Sequence, residues 1–422
     1  MKNVNVIITI INMKELLLSS DALKLVYKEG LSFRKSIKKV TENEDKLLGI
    51  ISSLVGATLR HNLLLNEITK RFENESEDNL YLIDLALVNN FFVKKLDKGA
   101  VLAFLKDKLS PENYKKLDEM LNFEGPISDL TQIDRSSLDY ISLRFNTPKW
   151  LVKMWSKHFG RGQAFKILKA NTHPAKVFVG LNPLNGEVKL SEEQFEKVDN
   201  GLYLYKASSQ IKHLDMHKKG QIYVSNLVLE ALVNKYLDPL SNEFTFFSGE
   251  NDHLLKYAHA LAKGEKGVNF AVCNLNDRAE LLRYLRVHNV KNINLFEYKD
   301  EYSLKAGISH KQDFVLFEPK SSSFEKIRLY PDYLIHFDHN SLDEIIKNEK
   351  TDLVNIASFI SDGGILIYEV RTLNKKESSG LIAEFIKEHP SFTLFEERQC
   401  FPNEAEDTSM YYAVMKKEAK DD

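Results

Sequence analysis

The 422-residue sequence contains few of the residues that define disulfide-rich or membrane-embedded proteins. Its two cysteines, Cys273 and Cys400, exclude a disulfide framework and a cysteine-rich metal site, and they suit a reducing compartment. The apolar run Val4–Ile11 has about half the length of a membrane span, and no clear cleavage site of a signal peptide follows it. We therefore expect a cytoplasmic protein without a membrane partner, and its 43% hydrophobic content is enough for two or three domains.

The net charge of -2 conceals an uneven distribution along the chain. Residues 1–135 are neutral, residues 136–219 carry a surplus of seven positive charges, and residues 220–422 carry a surplus of nine negative charges. Lysine and arginine supply most of the sequence-independent affinity for nucleic acids because they neutralise phosphates. A nucleic-acid partner is therefore predicted to meet the middle segment, with ordinary solvated charge as the alternative.

The apolar pattern divides the chain into three predicted parts. Residues 1–135 repeat apolar positions at helical spacing between polar breaks, which predicts an all-α bundle. Residues 136–219 combine amphipathic helices with the apolar runs 177–179 and 202–205, which predicts a small α/β module. Residues 220–422 alternate short apolar strands with helices, which is typical of a doubly wound sheet of the Rossmann type.

In the third part the candidate strands are short apolar segments, which lie at Phe244–Phe247, Asn269–Val272, Asn292–Phe296, Phe314–Phe317, Leu334–Phe337, Ile365–Tyr368 and Tyr411–Met415. Helices are predicted between them, notably at Asp277–His288, Leu342–Ile360 and Gly380–His389. The end of the chain resembles the antiparallel strand pair that closes the sheet of class I methyltransferases.

Two stretches near the C-terminus resemble the catalytic motifs of the bacterial Sun (RsmB) family of RNA cytosine-C5 methyltransferases. Residues 317–321 read Phe-Glu-Pro-Lys-Ser where that family has Asp-Ala-Pro-Cys-Ser. Residues 363–372 read Gly-Gly-Ile-Leu-Ile-Tyr-Glu-Val-Arg-Thr where the family has Gly-Gly-x-Leu-Val-Tyr-x-Thr-Cys-Ser. Other family motifs occur in the same order, such as Pro-Lys-Trp at 148–150 and Pro-Asp at 331–332. The resemblance covers nearly the whole chain and depends on the order and spacing of these motifs.

The resemblance implies an architecture, a cofactor and a partner. It implies a NusB-like RNA-binding bundle at 1–135, a basic α/β preamble that faces RNA at 136–219, and a Rossmann-like class I methyltransferase domain at 220–422. Enzymes of this family use S-adenosylmethionine (SAM), and the implied partner is rRNA or the small ribosomal subunit.

Four residues of the preamble are predicted to face RNA. Lys149, Lys153 and Lys157 repeat at four-residue spacing along one predicted helix, so they share a face. Asn182 matches the last residue of the family's Arg-Val-Asn motif, whose arginine is replaced by Gly180. A metal site is not predicted, since the histidines at 213 and 217 have helical ligand spacing but no third ligand nearby.

The departures from the family pattern concentrate in the catalytic motifs. Lys320 and Arg371 occupy the places of the two catalytic cysteines. Either Glu318 or Phe317, depending on a one-residue gap, takes the place of the aspartate that would contact cytosine. The order of the family's motifs is therefore retained, whereas the reactive residues within them are replaced.

The cofactor motifs depart from the family pattern as well. Ser248, Gly249, Glu250 and Asn251 stand where the family has a glycine-rich loop, whose glycines let the backbone approach SAM. Cys273 stands where a carboxylate would hold the ribose hydroxyls, and a thiol cannot replace a bidentate carboxylate acceptor. No bound cofactor is therefore expected, except SAM if the site is still competent.

The chemistry of the family explains why these replacements matter. Cytosine C5 is a weak nucleophile, so family enzymes add a cysteine thiolate at C6 and use a second cysteine to help release the product. An arginine cannot act as base or nucleophile, and a single lysine would have to replace two cysteines and a carboxylate together. We interpret the sequence as an RNA- or ribosome-binding pseudoenzyme. Two alternatives stay open: an active methyltransferase with altered site chemistry, and a scaffold whose acidic C-terminal part binds a basic protein.

Overall fold

A computed structural model describes residues 2–42, 44, 46–207, 210–236, 244–248, 268–272, 278–291 and 293–419. The chain divides into two compact units. Unit 1 comprises Met1–His173 and Lys326–Phe337, and unit 2 comprises Pro174–Glu325 and Asp338–Asp422. The chain therefore leaves unit 2 after Glu325, adds a short segment to unit 1, and returns to unit 2 at Asp338.

The helices are numbered in chain order among the described residues. In unit 1 and the following part of unit 2 they are α1 Lys2–Tyr27, α2 Phe33–Val40, α3 Leu48–Arg60, α4 Asn62–Thr69, α5 Glu77–Val88, α6 Lys98–Leu105, α7 Pro111–Leu121, α8 Leu138–Arg144, α9 Lys149–Phe159, α10 Arg161–Asn171, α11 Asp215–Lys218 and α12 Leu227–Tyr236. The later helices are α13 Arg278–Val287, α14 Glu301–Gly307, α15 Lys326–Leu329, α16 Tyr333–His336, α17 Leu342–Ala357 and α18 Ser379–Glu388. Of these, α15 and α16 belong to unit 1.

The strands all lie in unit 2. They are β1 Val177–Leu181, β2 Phe195–Lys197, β3 Leu202–Tyr205, β4 Ile222–Ser225, β5 Phe244–Ser248, β6 Val268–Val272, β7 Ile293–Glu297, β8 Gln312–Glu318, β9 Ile360–Val370, β10 Phe392–Cys400 and β11 Met410–Lys417. Because the described strands begin after His173, the strands of the predicted middle part and its short helix α11 lie in unit 2, whereas its helices α8, α9 and α10 lie in unit 1. The predicted domain boundaries at residues 135 and 219 stay a prediction.

Unit 1 is helical because its apolar residues repeat at helical spacing and its helix ends are capped. The side chains of Ser76 and Ser110 accept hydrogen bonds from backbone amides in the first turns of α5 and α7. Ile51, Leu54 and Leu59 of α3 are fully buried in the apolar core of this unit. The predicted helical N-terminal region is confirmed.

Among the described residues, no single helix is long and apolar enough to cross a membrane. Helices α3 and α4 reach the required length and composition only as a pair, and a bend of 77° separates them.

The smaller of the two sheets in unit 2 has the strand order β2-β3-β1-β4, with antiparallel neighbours throughout. Its strands β1 and β3 contain the predicted runs 177–179 and 202–205. The short strands β2 and β4 were not predicted. Val179, Phe195 and Ile222 form the apolar face of this sheet.

The larger sheet has the strand order β10-β11-β9-β8-β5-β6-β7. Strands β9, β8, β5, β6 and β7 are parallel, whereas β11 lies antiparallel between β9 and β10. Alternate residues of β8 face opposite sides of the sheet, so Phe314 and Leu316 pack against α12 and α13 while Val315 and Phe317 pack towards α17 and α18. The predicted fold class, a helical region plus a Rossmann-like α/β domain, is confirmed.

Two element predictions differ from the structure. The predicted strand Leu334–Phe337 is wrong, because this segment forms helix α16, in which the amides of Ile335 and His336 donate to the carbonyl of Asp332. The helix predicted to reach Ile360 ends at Ala357, and Ile360 begins β9. In both places a run of apolar residues fits either type of element, and only the packing decides between them.

Candidate functional site

The larger sheet reverses its strand order between β5 and β8. From β5 the chain continues outward to β6 and β7, and from β8 it continues in the opposite direction to β9. Ser248 and Glu318, the last residues of β5 and β8, are register partners. In open α/β sheets the crevice beyond the carboxyl ends of such strands is the usual ligand site. The loops that leave β8 and β9 here are 319–325 and 371–378.

Most of the predicted cofactor positions lie outside the described residues. Gly249, Glu250 and Asn251 follow β5, and Cys273 follows β6, in segments that the structure does not describe. Ser248 is described only as the backbone residue that ends β5. The prediction that these five positions no longer bind SAM therefore stays a prediction.

Arg371 lies at the centre of a buried ion cluster at the carboxyl ends of β8 and β9. Its Nε is 3.1 Å from Oε1 of Glu369 and 3.3 Å from Oε1 of Glu318, and its Nη1 is 3.3 Å from Oε2 of Glu325. Arg371 and Glu318 are each 2% exposed, and Glu369 is fully buried. One guanidinium therefore joins the end of β8, the end of β9 and the loop between β8 and α15.

The electrostatics of this cluster keep Arg371 charged. Burial alone would lower the pKa of the Arg371 guanidinium, but Glu369, Glu325 and Glu318 together raise that pKa above its ordinary value. A guanidinium surrounded by carboxylates can position neighbouring chain segments, but it can neither accept a proton nor attack a pyrimidine ring.

A second buried network ties the same two loops together around Glu377. The Glu377 carboxylate accepts hydrogen bonds from the Ser322 amide at 2.6 Å, the Ser322 hydroxyl at 2.8 Å and the Asn374 side-chain amide at 2.7 Å. The Thr372 hydroxyl donates to the same carboxylate at 3.2 Å, and the Tyr368 hydroxyl donates to the Glu377 carbonyl at 2.8 Å. The loops that would carry the two family cysteines are therefore held to each other by polar side chains.

A second carboxyl group lies beside this network. Glu349 of α17 is fully buried, and burial together with the neighbouring Glu377 raises its pKa well above the ordinary value. Burial also raises the pKa of Glu377, although its hydrogen-bond donors oppose the increase. Two carboxyl groups that are this deeply buried do not both carry a full charge easily.

The replaced catalytic positions differ from each other in exposure. Lys320 is exposed on the loop after β8, in contrast to Arg371. Of the two candidates for the aspartate position, Phe317 is buried and its ring contacts Tyr368 with centroids 5.8 Å apart, while Glu318 joins the ion cluster. The structure therefore brings Glu318 and Arg371 together but leaves Lys320 outside the cluster.

The predicted RNA-facing residues fall into two groups. Lys149, Lys153 and Lys157 are exposed on α9, and Lys149 also forms an ion pair with Asp139. Asn182 is only 1% exposed, and its amide donates to the carbonyls of Gly220 and His288 at 2.8 Å each. The lysines are available to a phosphate backbone, whereas Asn182 holds the loop after β1 against its neighbours.

The two remaining sequence observations concern the thiols and the metal ligands. Cys400 is fully buried, and burial raises the pKa of its thiol to about 12, so it is not a reactive nucleophile. Across the described parts of the chain, no group of three or more His, Cys, Asp or Glu side chains could hold a metal ion.

Sequence reasoning missed three glutamates of the site. Glu369 lies two residues before Arg371, and side chains at this spacing face the same side of an extended chain. An acidic and a basic residue at this spacing could therefore have indicated the ion pair between them. Glu325 and Glu377 come from loops, and nothing in their sequence separation from Arg371 indicates that they lie near it.

Comparison with known proteins confirms the resemblance to the Sun/RsmB family. A curated protein of Bacillus subtilis (strain 168), named "Probable ribosomal RNA small subunit methyltransferase B", is 23% identical over 393 residues, covering 85% of this chain and 84% of that protein. No family model matches the sequence.

Solved structures share the fold. The crystal structure of PH0851 covers 96% of this chain and 98% of its own, with a TM-score of 0.70 and 15% identity. A methyltransferase homologue from Pyrococcus horikoshii covers 68% of this chain and 100% of its own, with a TM-score of 0.55 and 17% identity. NSun6 from Pyrococcus horikoshii, solved with SFG, covers 65% of this chain and 99% of its own, with a TM-score of 0.54 and 13% identity.

Proposed function

We propose that this protein binds ribosomal RNA in the context of the small subunit and does not transfer a methyl group to it. The observation that carries the proposal is the buried cluster of Arg371 with Glu318, Glu369 and Glu325, at the place where the resembling enzymes have a catalytic cysteine. The curated relative, a probable ribosomal RNA methyltransferase, supports the RNA partner.

The missing chemistry follows from the residues at the two replaced positions. Attack on cytosine C6 needs a nucleophile that can reach the base, and Arg371 is buried, charged and joined to three carboxylates. Lys320 is exposed but lies outside this cluster. The loops that carry the two positions are joined through Glu377, so a cytosine base of the RNA would have to break buried hydrogen bonds to enter between these loops.

The proposal includes a loss of SAM binding. Cys273 in the ribose position and Glu250 and Asn251 in the glycine loop are the sequence basis for it. We expect a calorimetric titration of the purified protein with SAM to show no binding in the micromolar range. Micromolar binding that weakens when Glu250 or Cys273 is substituted would contradict this and favour an active enzyme with altered chemistry.

RNA binding is proposed to use the exposed lysine face of α9. Replacing Lys149, Lys153 and Lys157 with Glu should weaken binding to small-subunit rRNA by about tenfold or more and flatten its salt dependence, because fewer counterions are released. The matched control replaces the exposed Lys299, Lys305 and Lys311 of unit 2 with Glu, which changes the charge equally.

Four outcomes separate the candidate functions. Loss of affinity in the α9 variant but not in the control supports RNA binding through α9. Equal loss in both variants means that net charge alone governs the affinity, and no salt-dependent rRNA binding by the parent favours the scaffold function. Transfer of labelled methyl groups from SAM to rRNA by the parent protein would overturn the non-catalytic assignment.

A further inference from the structure

A cavity in unit 1 lies next to the start of α9. It holds about 130 Å³, and its lining residues come from four separate stretches of the chain, within 60–63, 144–148, 171–172 and 327–335. A water molecule occupies about 30 Å³ in the liquid, so the cavity has room for roughly four waters. A single phosphate group fits in this space.

The charge of the cavity wall favours an anion. Arg60 and Arg144 line it, and none of the described lining residues carries a carboxylate. His61 adds no charge at neutral pH, because burial and the adjacent Arg60 lower its pKa to about 4. Asp332, which does not line the cavity, accepts a hydrogen bond from the Phe33 amide at 2.8 Å, and its charge opposes the effect of burial on the pKa of the Arg60 guanidinium.

A buried hydrogen-bond donor in the wall lacks an acceptor. The side-chain nitrogen of Asn171 is buried and has no hydrogen-bond partner among the described residues. Both polar atoms of the Asn146 side chain on the same wall are hydrogen-bonded, since Asn146 accepts from the Leu63 amide at 2.9 Å and donates to the Leu59 carbonyl at 3.1 Å. Buried donors are normally paired, so Asn171 indicates a ligand with an acceptor oxygen.

The position of the cavity connects it to the lysine face. Pro148 lines the cavity, and Lys149, the first residue of α9, follows it directly. A backbone phosphate seated at Arg60 and Arg144 would therefore place the next nucleotides of the same strand close to α9. The apolar part of the wall, formed by Phe145, Leu334 and Ile335, excludes water from one side and strengthens the charge interaction.

We propose that this cavity binds one phosphate of a single-stranded RNA backbone, with Arg60 and Arg144 pairing to its oxygens and Asn171 donating a hydrogen bond. The inference rests on the proposed RNA-binding function and assigns it a second contact, distinct from the lysine face of α9. A phosphate accepts several charge-assisted hydrogen bonds, which matches two guanidinium groups and one amide donor.

The test uses the full chain and a fluorescein-labelled single-stranded RNA of about 20 nucleotides with mixed sequence. The double variant Arg60→Gln, Arg144→Gln should bind it about tenfold more weakly, and the slope of log affinity against log salt should fall by about 0.7, the value for one phosphate contact on a single strand. The control Arg71→Gln, Arg135→Gln removes equal charge from exposed positions of the same unit and should bind like the parent.

A second variant keeps both arginines. Asn171→Asp replaces the unpaired donor with an acceptor at nearly the same size, and it should also weaken RNA binding because the carboxylate repels the phosphate. Circular dichroism melting of each variant separates these effects from misfolding. Parent-like affinity for both the arginine pair and Asn171→Asp would overturn the inference.

Two further arms identify the source of the phosphate. Inorganic phosphate or a 5′-mononucleotide could raise the melting temperature of the parent but not of the arginine variant. If the arginine variant also binds RNA as tightly as the parent, the cavity binds a small anion and the RNA assignment is wrong. If the α9 lysine variant loses RNA affinity and the arginine pair does not, the proposed function stands and this inference fails. If the parent binds no RNA, both fail together.

Discussion

Arg371 shows how a single replaced side chain constrains its neighbours. A cysteine in the same place is small and almost neutral, whereas a buried guanidinium needs carboxylates to compensate for its desolvation. Glu318, Glu369 and Glu325 supply that compensation. The sequence identified Arg371 and Glu318 as separate departures from the family pattern. Their ion pair could not be predicted, because it depends on the ends of β8 and β9 lying side by side.

Removing the guanidinium should destabilise the fold strongly. We expect Arg371→Met to lower the free energy of unfolding by about 3–5 kcal/mol, because three carboxylates lose their shared partner while two of them are almost completely buried. Lys320→Met is the matched control at the exposed family position and should change it by less than about 0.5 kcal/mol. Urea unfolding of both variants measures the difference, and equal small effects would show that the cluster does not stabilise the protein.

Asp84 of α5 should make stability depend on pH. It is 6% exposed, its Oδ1 has no hydrogen-bond partner in the described part of the chain, and burial raises its pKa to about 8. The folded protein therefore holds a proton that the unfolded chain releases above about pH 4, so stability falls as pH rises towards 8. We expect Asp84→Asn to remove this loss, which amounts to at most about 1.4 kcal/mol per pH unit. Urea unfolding from pH 5 to pH 8 tests it, and parallel pH profiles of parent and variant would contradict it.

At the scale of whole elements, the sequence predicted the parallel strands of the larger sheet and missed β2, β4 and β10. Strands β5, β6 and β8 are short apolar runs because they lie inside a parallel sheet covered on both faces. Strand β10 lies at the edge of the sheet, and its exposed positions include the apolar Phe395 together with the charged Glu397 and Arg398, so its pattern gives little signal. The segment Leu334–Phe337 has the opposite property, since it is apolar enough for a strand but packs as a short helix.

The two loops that leave β8 and β9 should open together when their shared carboxylate is altered. We expect Glu377→Gln to speed amide hydrogen exchange in 319–325 and 371–378. The glutamine NH₂ group is a hydrogen-bond donor, so it cannot accept the hydrogen bonds that Ser322 and Asn374 donate to the Glu377 carboxylate. Exchange in the central part of β9 should stay as in the parent, since its ladder is unaffected. Glu384→Gln, at an exposed position of α18, is the control. Unchanged loop exchange in the Glu377 variant would mean that other contacts hold the loops.

At the scale of the whole molecule, the order of motifs predicted the fold class. Single residues within those motifs identified the replaced catalytic positions. The sequence could not predict which side chains surround those positions, because Glu325 and Glu377 are brought to the site only by folding. The cavity in unit 1 was also beyond prediction, since Arg60, Asn171 and Tyr330 are far apart in the chain.

Restoring the two family cysteines should not restore activity. We predict that Lys320→Cys with Arg371→Cys stays inactive on rRNA, because positioning of the reacting groups is worth about 7–11 kcal/mol of barrier and the other departures remain. Those departures include Glu318, Gly180 and Cys273, which lie in or directly after three different strands. Transfer of labelled methyl groups by the double variant but not by the parent would show that the remaining pocket is competent. A thermal melt must accompany the assay, since Arg371→Cys also removes the centre of the ion cluster.

The insertion of Lys326–Phe337 into unit 1 has a consequence for the order in which the protein is made. A ribosome adds about 5–20 residues per second, so the stretch Pro174–Glu325 delays this segment by roughly 8–30 s after His173. Throughout that interval the nascent helices lack the Tyr330 ring that lies 5.1 Å from Arg34, and Ile335 does not yet cover the apolar core. A chain whose translation stops before residue 337 would have a helical unit whose apolar core is incompletely covered. We expect cellular proteases to cleave such a chain first in this exposed part of the helical unit.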